Sequence, residues 1–316
     1  MNEVLSLPSP FLLLLPLSIA AGVDFFLTLL VAGLSLGFGW PGMQELGPDS
    51  LHWGILVVLS ALYLAEAASE IKPVPALFWH FLQLFLRPLG GVLLAFTLLH
   101  GLPLHLLVIG ASMRGVVCAF THVLTWGRKL SLFLSPRERV SRTTEVLAED
   151  TLVLVFLALT VDRPDIAFLV SGPILLFGLL LGGQYHHLVR FGVSLSKDRA
   201  WGFLSPRRWR EGSELPSWTQ GAMVGQDMSP SRGIPVGVMG LPGLRGFREG
   251  WLLTAGGADV FTYRKRRKPR TFSLEGFTSG PEEDLGFALK VPMKAPEEDE
   301  WALFLQKSHT GLRSHK

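Results

Sequence analysis

Charge is scarce in this sequence and cysteine is nearly absent. Only 17% of its 316 residues are charged, against about a quarter in ordinary soluble proteins, which excludes a chain that is water-soluble throughout. The lone cysteine, Cys118, excludes an intrachain disulfide and every zinc motif built on cysteine pairs. The opening run MNEVLSLPSPFLLLLPLSIA lacks the basic first region of a cleavable signal and is expected to be retained as a membrane span. No Ser-His-Asp, nucleotide-binding or metal-hydrolase motif stands out. No catalytic residue, metal or cofactor is therefore assigned, and an enzyme is not expected.

What the chain does have is apolar length. Mean hydropathy is +0.37, and it is unevenly spread. Residues 1–195 hold 10 Lys and Arg against 12 Asp and Glu; the remaining 19 and 14 fall in 196–316, so the first part is −2 and the tail +5. Six apolar segments are long enough, or nearly so, for a span of about 20 residues: Phe11–Leu36, Leu51–Ala68, Ala76–Leu99, Leu104–Trp126, Val146–Val161 and Ile166–Val189. Arg87-Pro88 is expected to break or kink the third. The alternative lays Ala76–Leu86 flat in the interface and starts the span at Leu89. The predicted fold is thus an all-α polytopic membrane bundle over 1–195, a linker over 196–234 and a basic, β-rich domain over 235–316. With the N-terminus inside, Lys72, the cluster Arg128–Arg142, Arg190 and Lys197 are internal and Arg163 external, so both termini are expected in the cytoplasm of a bacterial cell with an inner membrane.

Segments of the tail such as WLLTAGGADVFTYRKR and LGFALKVPM read as strands. APEEDEWALFLQKSH, with acids first and Lys307 and His309 last, reads as a C-terminal helix matched to its dipole. Strands followed by a tryptophan-bearing helix look like a pleckstrin-homology-type module.

Several charges lie where apolar residues are expected. Asp24 in IAAGVDFF and Arg114 in IGASMRGV are 90 residues apart in similar surroundings, the pattern of an inverted repeat with three spans in each half. They are read either as members of a substrate or ion site or as a structural ion pair. Glu66 and Glu70 share a helix face at i, i+4, and Glu149 and Asp150 open the fifth span at the same depth. Four such carboxylates suit a cation or a proton relay, or else helix-dipole and ion-pair roles. His186 and His187 are adjacent and point apart on a helix, which disfavours joint metal ligation. In the tail, Arg264, Lys265, Arg266, Arg267 and Lys268 with Arg270 form a basic run that suits anionic lipid head groups or a solvated turn; without interleaved aromatics, nucleic acid is not an expected partner.

AAGVDFFLTLLVAGL, YLAEAASEIKPVPALFWHFLQLFLRPLGG and EVLAEDTLVLVFLAL together resemble the bacterial multi-pass membrane family known as domain-of-unknown-function 4126, over roughly residues 10–190. The positions that carry the resemblance are Glu66 before the Lys72-Pro73 turn, Arg87-Pro88 before small residues, and Glu149-Asp150. This chain departs from the family pattern in having Ile71 before Lys72, with Glu70 as the acid, and in having Asp24 where the family often has a basic residue. The resemblance implies a fold and a membrane location and no activity. Two functions are expected from different classes: a small transporter or channel-like protein, or a non-transporting anchor that presents its tail to a lipid or protein. Oligomeric state is not legible.

Overall fold

The computed structural model describes residues 9–37, 53–99, 101–134, 142–202, 210–224, 229–239, 241, 247–265, 268–275, 277–285, 288–294 and 300–306. The chain forms two compact units, Met1–His186 and His187–Lys316.

The first unit is helical. The segment expected to be one span is two helices, α1 (Ser9–Val23) and α2 (Phe25–Gly37), broken at Asp24. Next come α3 (Trp53–Glu70) and α4 (Pro73–Leu98), the latter opening on a proline, where the missing N–H would have no helical partner anyway. Of the expected break or kink at Arg87-Pro88, the break is absent. α4 continues through Pro88, and one candidate span, Val74–Phe96, runs across both 76–86 and Leu89. Proline inside a helix is tolerated in an apolar bundle where neighbours satisfy the freed backbone groups. Gly101, at φ +87°, supplies the left-handed turn into α5 (Leu104–Leu134); α6 (Arg142–Asp162) and α7 (Pro164–Gly202) follow. Among the described residues, three helical stretches are long and apolar enough to cross a membrane: Val74–Phe96, Leu104–Leu132 and Pro164–Lys197.

The polarity of this unit is inverted relative to a soluble protein. Phe78, Leu82, Phe85, Leu89, Leu93 and Phe96 form an exposed apolar stripe at 3–4-residue spacing along α4, while Glu66, Glu70, Arg87, Arg114, Lys129 and Glu149 are buried. Contiguous exposed apolar surface of this kind needs an apolar partner phase, and buried charges need one another. Close helix approach depends on glycine: a Cβ at Gly90 would lie 1.9 Å from Phe25, and one at Gly91 would lie 2.8 Å from Cys118 Sγ.

Among the described residues, the second unit holds an antiparallel sheet of nine strands: β1 (Arg210–Glu211), β2 (Pro230–Met239), β3 (Phe247–Ala255), β4 (Ala258–Lys265), β5 (Lys268–Ser273), β6 (Thr278–Ser279), β7 (Glu283–Asp284), β8 (Ala288–Lys294) and β9 (Glu300–Gln306). The path runs β5-β4-β3-β2-β9-β8-β6, with β1 paired to β2 and β7 to β8. Between β3 and β4 the two-residue turn Gly256-Gly257 has both φ angles positive, +60° and +86°, which is why glycine fills both positions of this tight hairpin.

The expected linker, 196–234, contains the end of α7, β1, the short helix α8 (Ser217–Val224) and the start of β2. Residues 187–202 of α7 belong to this second unit. Successive strand residues serve both sheet faces. Ile234, Leu252, Phe261, Leu303 and Leu305 build one core cluster; Leu215, Met223, Leu253, Ala255 and Val260 build another, against Trp251.

The expected C-terminal helix is a strand. Residues 300–306 pair with β2 on one side and β8 on the other, and Ala302, Leu303, Phe304 and Leu305 are all buried. A strand buried on both faces reads as a continuous apolar run and not an alternating one, so WALFL was open to a helical reading. Without that helix the pleckstrin-homology-type likeness is lost. Lys307 and His309, which suggested it, lie outside the described residues.

Candidate functional site

The break at Asp24 is held from both sides. At the end of α1, Arg87 Nη1 donates to the carbonyl of Val23 at 2.7 Å and to that of Gly22. At the start of α2, the Leu27 amide donates to Asp24 Oδ1 at 2.9 Å. Asp24 is thus the N-cap of a half-helix, and Arg87 satisfies carbonyls that the break leaves without helical partners. Helix interruption at depth in a bundle is tolerated where such groups are re-paired internally.

Arg87 links this break to α3. Its Nη2 lies 2.8 Å from Glu66 Oε1, which also accepts from Gln83 Nε2; Glu66 Oε2 is buried without a hydrogen-bond partner. Glu70, one turn on, receives Lys129 Nζ at 2.6 Å and lies 3.5 Å from His80 Nε2. Lys129 also reaches Glu149 Oε2 at 2.7 Å. Arg128 pairs with Glu149 and sits 3.3 Å from Glu145, and the Tyr63 hydroxyl donates to Asp150 at 2.7 Å. Asp24, Tyr63, Glu66, Glu70, Lys129, Glu149 and Asp150 line one cavity, with about 10 Å³ of room for water centres, roughly one molecule.

The four predicted carboxylates therefore converge, and Asp24 joins them. Arg114 does not. It is buried, its Nε and Nη1 have no hydrogen-bond partner, and among the described residues no ion pair joins it to Asp24. The pairing fails because the break hands Asp24 to the α2 backbone, while Arg114 lies beside Gly91 across the α4–α5 contact. The two segments likened to each other also differ in build, since 19–26 spans the break and 109–116 lies inside continuous α5. Lys72 is exposed at the N-cap of α4, Pro73 starts that helix, and Pro88 lies within it.

His80, Gln83, His122 and Trp126 were not singled out from the sequence, and they belong to two buried stripes beside the site. Arg114, Cys118, His122, Trp126 and Lys129 recur at helical spacing and are buried along α5; His80, Gln83 and Arg87 do the same on α4. Trp126 stacks with His80 and His122 at 6.0 and 6.1 Å between ring centroids, and His122 Nε2 lies 3.1 Å from the His80 carbonyl. Periodicity of polar residues within apolar helices would have found both stripes. Among the described residues, no three His, Cys, Asp or Glu side chains converge in a metal-holding arrangement.

In the second unit the basic run brackets the β4–β5 hairpin. Arg264 and Lys265 end β4, opposite Pro269 and Lys268 of β5; Arg264, Lys268 and Arg270 are exposed, and Arg266 and Arg267 lie outside the described residues. His187 lies on the part of α7 that belongs to this unit, and His186 ends the first.

Comparison with known proteins gives one match. A family model described as Domain of unknown function (DUF4126) covers residues 11–182, more than half of the chain. No curated protein and no solved structure matches.

Proposed function

The chain belongs to the Domain of unknown function (DUF4126) family, and from that premise we propose that its helical unit is a small transporter or channel-like protein moving protons or a small cation. One observation carries the reading. Five carboxylates, Asp24, Glu66, Glu70, Glu149 and Asp150, line one cavity, and three cations, Arg87, Arg128 and Lys129, pair with members of the set. That leaves a formal excess of two negative charges. Acids sharing an apolar site cannot all ionise without compensation, so the excess is met by bound protons or by a cation. Half-helix ends at a break supply backbone dipoles to such a site.

In this reading α1 and α2 together make the first of six crossings, and both termini face the cytoplasm of a bacterial inner membrane. An inverted repeat of three spans in each half belongs to this reading; the burial of both Asp24 and Arg114 favours it, and the break at Asp24, without a counterpart in α5, counts against it. The test is pH-gradient-driven flux in proteoliposomes. Asp24→Asn and Glu66→Gln, which keep side-chain shape, should abolish flux while the protein stays folded; wild-type flux equal to that of empty liposomes for protons, sodium and potassium would sink the proposal. The second reading, a non-transporting anchor, draws on the exposed basic residues of the β4–β5 hairpin, which suit an anionic lipid surface; it gains if flux is absent and the protein sediments with anionic vesicles.

A further inference from the structure

The second unit contains a pocket of about 420 Å³, within the size range of small-ligand sites. Its lining mixes cations with aromatics: Arg190, Arg248 and Arg264, the indoles of Trp218 and Trp251, and one carboxylate, Glu249. Arg248 alternates with Glu249 along β3 and so points to the opposite face, which leaves the guanidiniums of Arg190 and Arg264 against one carboxylate, a formal excess of one positive charge. Glu249 lies 3.4 Å from Arg190 Nε and offsets that cation alone. Among the described residues, Arg248 and Arg264 make no ion pair.

The sheet explains why these groups meet. Glu249 and Trp251 are two apart on β3 and so share a face. Thr262 stands opposite Trp251, which puts Arg264, two residues further along β4, on that face too. The Arg264 guanidinium carbon is 4.8 Å from the centre of the Trp218 ring, and that of Arg210 is 5.4 Å from the Trp251 ring. Stacking engages the flat face of a guanidinium and leaves its N–H edge for an acceptor, so the indole orients Arg264 without using its donors. Phe191 of α7, next to Arg190, packs on Phe247 at 4.8 Å between ring centroids.

We propose that this pocket binds a phosphate-bearing anion of head-group size, with Arg264 and Arg190 as its principal contacts. A phosphate monoester carries about −1.5 to −2 charges at neutral pH, opposite in sign to the site, and its planar-fork recognition by arginine is the strongest form of such pairing. The source is a soluble phosphomonoester or the head group of an anionic lipid. The pocket shares no residue with the carboxylate cavity and does not depend on the transport reading.

The test is calorimetric titration of the full-length protein in phosphatidylcholine nanodiscs with glycerol 3-phosphate and, separately, with dihexanoyl phosphatidic acid; dihexanoyl phosphatidylcholine is the control. Saturable binding of at least one phosphomonoester is expected. Arg264→Gln should weaken it by about 10-fold or more, as for loss of a charge-assisted pair, and Arg264→Lys, which keeps charge without the flat stacking surface, should fall between. Lys268→Gln, on the same hairpin and not lining the pocket, should change it less than about 2-fold. Binding of both compounds assigns a soluble source, and binding of the lipid alone assigns a head group. No binding of either, an Arg264→Gln variant that binds like wild type, or an equal loss in Lys268→Gln, the mark of diffuse attraction, would overturn the site.

Discussion

Arg87 and Glu66 lie 2.8 Å apart, both buried, and the same guanidinium closes the carbonyl end of α1. This double duty separates Arg87 from an ordinary ion pair. Arg87→Met should destabilise the protein by about 3–5 kcal/mol, because it strands a buried carboxylate. Adding Glu66→Leu should recover only part of that. The carbonyls of Gly22 and Val23 stay unsatisfied, at about 1–3 kcal/mol for each such group. Unfolding in mixed detergent micelles checks both; complete recovery in the double variant would mean that the capping contact contributes nothing.

Asp24 separates fold from charge. Asp24→Ala removes the side chain that accepts the Leu27 amide and should cost about 0.5–2 kcal/mol, the usual loss for an N-cap. Asp24→Asn keeps a capping oxygen and should stay within a few tenths of a kcal/mol of wild type. Equal losses in the two would show that the carboxylate's charge, and not its hydrogen bond, holds the break.

Much of this arrangement was legible in the sequence, for physical reasons. Apolar length marks helices whatever their partners, so the described residues of five of the six expected segments map onto one helix each, α3 to α7, apart from Leu99. The carboxylates at 66, 70, 149 and 150 were legible as a group because i, i+4 spacing and span ends fix depth. The break at Asp24 was not, since Ala-Gly-Val-Asp-Phe contains no proline and reads as uninterrupted apolar helix; only the Asp followed three residues later by the amide it caps hints at a new N-terminus. Partner choice was also hidden. Asp24 and Arg114 are the isolated charges of their segments, yet pairing depends on which faces the glycine contacts at Gly90 and Gly91 bring together, and spacing along the chain does not encode that. In the tail, WALFL is too short for periodicity to separate a doubly buried strand from a helix turn.

That strand can be tested directly. Leu303 and Phe304 point to opposite faces of β9, and both are buried. Leu303→Ala should cost about 2–5 and Phe304→Ala about 3–5 kcal/mol, measured by chemical unfolding of the full chain followed through the second unit's tryptophans. A solvent-facing position at either residue would give a change below about 0.5 kcal/mol, which the structure excludes.

Glu249 gives the second unit a pH signature. Burial raises its carboxyl above the ordinary 4.5, and the nearby Arg190 opposes the shift only in part. The folded state therefore holds this proton more tightly than the unfolded chain does. Its contribution to stability is most favourable below 4.5 and declines as pH rises through the raised value. The melting temperature of wild type minus that of Glu249→Gln should fall across that window and level off above it. A difference that rises with pH would mean that the Arg190 pairing outweighs burial.

Lys129 is the tie between α3 and α6, since it reaches Glu70 at 2.6 Å and Glu149 at 2.7 Å. Lys129→Met leaves Glu70 beside an unmodified His80 and Glu149 with Arg128 alone. Breaking a buried pair from one side costs about 3–5 kcal/mol, and here Glu70 loses its main partner. Glu70→Gln in the Lys129→Met background should restore most of that loss, whereas Glu149→Gln should restore less, because Arg128 still pairs with Glu149. Equal rescue by the two would mean that Arg128, with 43% of its side chain exposed, is too solvated to compensate a buried carboxylate, and would place the whole burden of α3–α6 neutralisation on Lys129.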